Sequence, residues 1–234
     1  METNDLVDGA LYRLLAWLSP GFPIGAFSFS HGLEAAAEAG AVHDRASLQN
    51  WITALIASGS GRIDADVLRD AHRAAAVSDF GALADANQRG IAFRGTAETR
   101  LETTAQGEAF LATCRAAWSE PFLDRWAEGF GETAEAVSFA AAVGAATARA
   151  GISLEWALIG YLQAMAANMI SAGLRLGIIG QTDGQRILAA LEPVVAAAVT
   201  SALTRDPDCI GSATFAVELA SMAHETQYTR LFRS

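Results

Sequence analysis

Apolar residues recur every three to four positions along almost the whole chain, the period of an amphipathic helix. Leu11, Leu14, Leu15 and Leu18 form the first such stripe. Ser19-Pro20-Gly21-Phe22-Pro23-Ile24-Gly25 then ends it, since two prolines and two glycines cannot continue a helix. A second helix is predicted over 28–39, with Gly40 just past its end. Asp44 or Ser47 can cap a third, with Leu48, Trp51, Ile52, Leu55 and Ile56 as its buried stripe. Helical spacing returns over 63–77, 80–93 and 97–118, and Pro121 suits the first turn of a short helix carrying Phe122, Leu123 and Trp126. Helices over 132–150 and 154–176 follow, the second capped by Ser153. Thr182 or Asp183 can cap the next, which is expected to bend or restart near Pro193 and to end around 203. A last helical stretch covers 213–223.

No strand-like alternation or internal repeat interrupts this pattern. The segment between Glu155 and Arg175 carries no charge and approaches the length of a membrane span. Gln163, Asn168, Ser171, Gly160 and Gly173 inside it suit the middle of a soluble bundle better than a lipid-facing surface. The expectation is an all-α, single-domain helical bundle of about ten helices around this central apolar helix, with no membrane.

Composition strengthens that picture. Of 234 residues, 51 are alanine and five are proline, which favours helix throughout. The formal charge is −10, from 26 acids against sixteen arginines with no lysine, so nucleic acid is a poor partner. The missing lysine excludes a Walker A loop, a Schiff-base enzyme and a Ser-x-x-Lys hydrolase. Cys114 and Cys209 are isolated, and residues 1–8 lack the apolar core of a signal peptide, which points to a reducing, cytoplasmic setting.

Candidate chemistry is sparse. His224-Glu225-Thr226-Gln227-Tyr228 falls one histidine short of the zincin motif. His31, Glu34 and Glu38 stand at i, i+3 and i+7 on the predicted second helix; they are metal-ligand types, or else a polar stripe. Gly59-Ser60-Gly61 is a turn without a dinucleotide fingerprint, and no G-x-S-x-G occurs. Asp64 with Asp66, and Glu98 with Glu102, read as solvated helix faces. Trp17, Trp51 and Trp156 fit core stripes. Two segments resist so bland an account. Residues 19–34 set Phe22, Phe27 and Phe29 among small residues, and residues 221–234 place Tyr228, Leu231 and Phe232 between Arg230 and Arg233. Aromatics with arginine near a chain end have the composition of an interface anchor.

These segments resemble the urease accessory protein UreF family. The run S-P-G-F-P-I-G-A-F-S-F-S-H-G-L-E is similar to that family's S-P-x-x-P-x-G-x-[FY]-[ST]-[FY]-S-x-G-L-E. Glu98-Thr99-Arg100 with Glu102 looks like E-T-R-x-E, and 180–186 looks like G-Q-x-x-G-Q-R. The tail H-E-T-Q-Y-T-R-L-F-R-S is similar to H-E-x-x-Y-x-R-L-[FY]-x-S. Residues 164–168 are less aromatic than the family's usual run. The matches run in order over essentially the whole chain.

The resemblance implies one all-helical domain over 1–234 that is not an enzyme. Its termini, 1–8 and 224–234, would be flexible or ordered by a partner. It implies a homodimeric urease maturation co-chaperone that, with UreD/UreH and the GTPase UreG, assembles on apo-urease for nickel insertion, without a stable cofactor of its own. Gly25, Phe27, Ser28, Ser30, His31 and Glu34, together with His224, Glu225, Tyr228, Arg230, Leu231 and Phe232, would take partner-binding or tail-anchoring roles. The alternative is a helical metal-binding protein or metalloenzyme using His31, Glu34 and Glu38.

Overall fold

The structure is a computed structural model that describes residues 3–133 and 136–234; for 3–8 and 130–133 only the backbone is described. Eleven α-helices and two short 3-10 turns make up the regular structure of the described residues, with no strand among them. In chain order the helices are α1 (Thr3–Trp17), α2 (Leu33–Glu38), α3 (Arg45–Ser58), α4 (Ser60–Ala76), α5 (Phe80–Ala92), α6 (Ala97–Ala117), α7 (Pro121–Thr133), α8 (Phe139–Arg149), α9 (Leu154–Arg175), α10 (Gln181–Thr204) and α11 (Phe215–His224). The fold is the all-α bundle the periodicity calls for.

Local chemistry sets most boundaries. The Asp44 side chain accepts from the Ser47 N–H while Ser47 returns the bond, closing a capping box at α3. Thr96 and Thr99 do the same at α6, and Ser153 caps α9. Gly40 and Gly151 take left-handed conformations where helices end. The expected helix over 132–150 crosses 134–135, which lie outside the described residues; α8 starts at Phe139.

Three expectations change. Helix α10 is capped at Gly180 without a side-chain bond, and Asp183 sits in its first turn against Arg186. It runs through Pro193 unbroken, because Pro193 lies on the solvent face, where loss of one N–H is tolerated. The predicted second helix shrinks to α2, because both His31 and Gly32 take positive φ and hold the chain out of helix until Leu33.

The most enclosed element is α8. Every residue from Ala140 to Thr147 is buried, and α4, α5, α6 and α9 surround it. Its alanines and Gly144 permit this close approach: a Cβ on Gly144 would stand 2.5 Å from the Leu68 carbonyl oxygen of α4. Helix α9 buries Leu158, Leu162, Ala166 and Met169 but exposes Trp156, contrary to the core position expected for that tryptophan. Likewise, on α1, Leu14 is buried while Leu11 and Leu15 face outward.

Two helices, α9 and α10, are long and apolar enough to cross a membrane by length and composition; half of the apolar window of α9 and a third of that of α10 are buried inside this bundle. Arg69 of α4, fully buried, closes the end of α10. It donates to the carbonyls of Ala202 and Arg205, at 2.7 and 2.9 Å, beside Asp66 and Asp70.

Gly144→Ala is expected to destabilise the protein by about 3 kcal/mol, because backbone on both helices must part. Gly129→Ala, with nothing within 4 Å of the new methyl, is expected to be neutral or to stabilise by up to about 1 kcal/mol. Urea melts of both variants check this pair.

Candidate functional site

The two segments singled out in the sequence, 200 residues apart, meet. Glu34, in the first turn of α2, is nearly buried, and its carboxylate accepts from the backbone N–H groups of Leu231 (2.6 Å) and Phe232 (2.9 Å). The same carboxylate lies 3.2 Å from Nε2 of His224. His224 is 0 % exposed, and its Nδ1 lies 2.7 Å from Glu98 of α6. Arg230 donates to the other Glu98 oxygen at 2.5 Å. Glu225 accepts from the Ala97 N–H (2.8 Å), capping α6 from outside.

The end of the chain then runs beside the N-terminal loop. Arg233 N–H donates to the Ser28 carbonyl (2.7 Å), and the Ser234 carbonyl accepts from both the Ser30 N–H (2.8 Å) and the Ser30 hydroxyl. Ser234 Oγ donates to Glu102 (3.2 Å). Phe232 is buried, with the Arg175 guanidinium 4.3 Å over its ring, and Arg175 also donates to the Phe27 carbonyl. Residues 225–234 are thus tied to α2, α6 and α9 without any helix of their own.

At Gly32 the backbones of the two segments come together with no room for a side chain. It holds φ 73°, and a Cβ there would stand 2.7 Å from the Ser221 nitrogen of α11. Gly25, also left-handed, turns the loop so that Ala26 to Ser28 form a 3-10 turn.

Beneath this loop lies a cavity of about 460 Å³, bounded by 17–27, α6 and α9. Trp17, Phe22, Phe139 and Tyr161 line it, and the fully buried Phe110 behind them joins the rings: Phe22 and Trp17 pack on Phe110, which meets Phe139, which meets Tyr161. Its polar floor is ionic. Asp64 pairs with Arg94 and accepts from the Tyr161 hydroxyl at 3.0 Å. Glu102 takes His31 Nε2 at 3.2 Å and the Gln106 amide at 3.0 Å. Burial by itself lowers the His31 pKa, but the Glu102 carboxylate and its bond outweigh this, with Asp64 adding and Arg94 opposing, so the net shift is upward. Burial and then Asp64 push Tyr161 well up. Burial raises the Cys114 thiol to about 12, so it packs as an apolar group and is no nucleophile.

Of the four carboxylates expected on solvated faces, three are buried and Glu98 is half-buried. Asp64, Asp66 and Glu102 lie in the interior, because neighbouring helices cover the middle turns of α4 and the inner face of α6, and partners arrive from 30 to 139 residues away. Nothing local in the sequence marks those pairings. His31, Glu34 and Glu38 do not share a face: His31 turns to Glu102, Glu34 to the tail, and Glu38 is exposed. Among the described residues no group of three His, Cys, Asp or Glu could hold a metal ion.

Large apolar side chains stand among the exposed polar ones. Tyr228 is fully exposed, Phe27 is 68 % exposed and Leu231 61 %, all carried on the clipped segments. Exposed aromatic and aliphatic side chains on a bonded backbone have the composition of a protein-protein contact surface, the feature of an assembly protein. The comparisons with known proteins specify the class. The UreF family profile matches residues 42–192. The chain is 50 % identical over 231 residues to the urease accessory protein UreF of Bradyrhizobium sp. BTAi1, covering 99 % of this chain and 95 % of that one. It is 51 % identical over 225 residues to that of Bradyrhizobium sp. ORS 278, covering 96 % and 92 %. The chain belongs to the UreF family, whose role is accessory to urease maturation and not enzymatic.

Two outcomes follow from this geometry. Glu34→Gln keeps the shape but replaces an acceptor-only group and its charge, and is expected to cost about 2–3 kcal/mol in urea unfolding. Because the His31 pKa is raised in the folded state, its contribution is fully present below the unfolded value, near 6.5, and fades as pH rises through the higher folded value. The stability gap between the native protein and His31→Gln should therefore be wider at pH 6 than at pH 9.

Proposed function

We propose that this chain acts as a homodimer in the cytoplasm, away from membranes, and assembles with the UreD/UreH accessory protein and the GTPase UreG on apo-urease, where the assembly inserts nickel. On this reading residues 1–234 work as one domain and the chain holds no nickel stably. Residues 224–234 are the partner-sensitive element; residues 1–2 lie outside the described residues.

The observation that carries the proposal is the contrast within the tail. Its backbone is fixed by buried carboxylates, while Tyr228, Leu231 and Phe27 are left bare. Ordering a surface before binding lowers the entropy lost on association. Exposed aromatics beside arginine are the residues that dominate interface energies. The outward Leu11, Tyr12 and Leu15 of α1 offer further apolar area for a second copy or a partner. Within this reading the sequence-derived residues divide by task. Gly25, Ser28, Ser30, His31, Glu34, His224, Glu225, Arg230 and Phe232 build the clip, and Phe27, Tyr228 and Leu231 face the partner.

Tyr228→Ala removes no bond that holds the tail, so its melting temperature should match the native protein. Capture of a UreD-like or UreG-like partner in co-purification should weaken by about 2 kcal/mol. Arg230→Ala should lower both stability and capture, since Arg230 is bonded to Glu98. Undiminished capture of both partners by Tyr228→Ala combined with Leu231→Ala would overturn the assignment of this surface.

A further inference from the structure

On the far side of α4 from the ionic floor, a second cavity of about 420 Å³ opens between α3, α4 and α10. Its wall is apolar along Ile56, Val194, Ala197 and Ala198, with the hydroxyls of Thr53 and Ser201. The charged residues lining it are both arginines, Arg62 and Arg205, and no acid lines it. In a chain with a formal charge of −10 this is a local reversal of sign.

The two arginines are differently committed. Arg205 places one guanidinium nitrogen 2.7 Å from both oxygens of the buried Asp66 and the other 2.6 Å from Ser201 Oγ. Its charge is matched. Arg62 spends one Nη on the Cys209 carbonyl at 3.0 Å, forms no ion pair among the described residues, and keeps its Nε–H buried without an acceptor. Asp206, on the adjoining connector, turns to the Asp208 N–H instead. Arg62 is thus the one cation of the cavity lining whose charge no acid among the described residues offsets, which favours an anion beside it.

We propose that this cavity binds a small organic carboxylate with a compact apolar body. One uncommitted guanidinium offsets one negative charge, which suits a monocarboxylate, and the planar fork of Arg62 suits its two oxygens. The cavity falls in the size range of small-molecule sites and is far larger than a bare inorganic anion needs. The apolar stretch of α3 and α10 supplies contact for a hydrocarbon body. Two guanidiniums exclude a cation.

Isothermal titration at constant ionic strength tests this with benzoate, its neutral isostere benzamide, and inorganic phosphate. Benzoate is expected to bind saturably at one site, with benzamide and phosphate each at least about tenfold weaker. Arg62→Gln should weaken benzoate about tenfold or more, and Arg62→Lys should fall between, since it keeps the charge but loses the fork. Ala197→Phe, which fills the mouth and leaves Arg62 in place, should abolish binding and guards against a folding defect in the arginine variants. Absent benzoate binding, equal binding of benzamide, or unchanged benzoate affinity in either Arg62→Gln or Ala197→Phe would overturn the proposal.

Discussion

The carboxylate of Glu34 is the fixed point on which the outer architecture hangs. It receives two successive backbone N–H groups of the tail and faces the buried ring of His224, so three separate parts of the molecule share one anion. Without it, Leu231 and Phe232 would present bare donors to a low-dielectric interior, and His224 would keep only Glu98. The left-handed pair His31 and Gly32 serves the same end. It turns the chain so that α2 begins at Leu33 with Glu34 facing inward, and it lets α11 approach to backbone contact.

Helix content, helix order and the caps of α3 and α9 were legible in the sequence because they are local. A capping box at Asp44 and Ser47 needs only four residues, and alanine-rich periodicity needs only one turn to declare itself. What could not be read was which helix lies innermost. The uncharged segment of α9 suggested a centre, yet α8, shorter and richer in alanine, is the element buried all round. Small side chains admit close neighbours, so enclosure follows side-chain volume as much as hydrophobicity.

The ionic interior shows the same limit more sharply. Asp64, Asp66 and Glu102 look solvated when judged by their own helices, and they are buried because Arg94, Arg205 and His31 are delivered from elsewhere. The segments at 19–34 and 221–234 did stand out, because aromatics beside arginine and glycine fit neither a helix stripe nor a plain loop. Their mutual contact was not legible, since nothing in either motif names the other. Family membership, shown by near full-length similarity, was readable from those same motifs.

The clip also has a consequence in time. Its anchor, Glu34, is made 197 and 198 residues before the two donors it receives, at 231 and 232, and those follow α11. Until then the loop at 25–30 lacks the strand-like partner that fixes it, and His224 lacks the lid of backbone around its ring. A nascent or nicked molecule can thus possess a folded bundle and still not display the ordered tail surface. Display of that surface therefore reports that Glu34 and residues 231–232 have met, and not merely that the helices have packed.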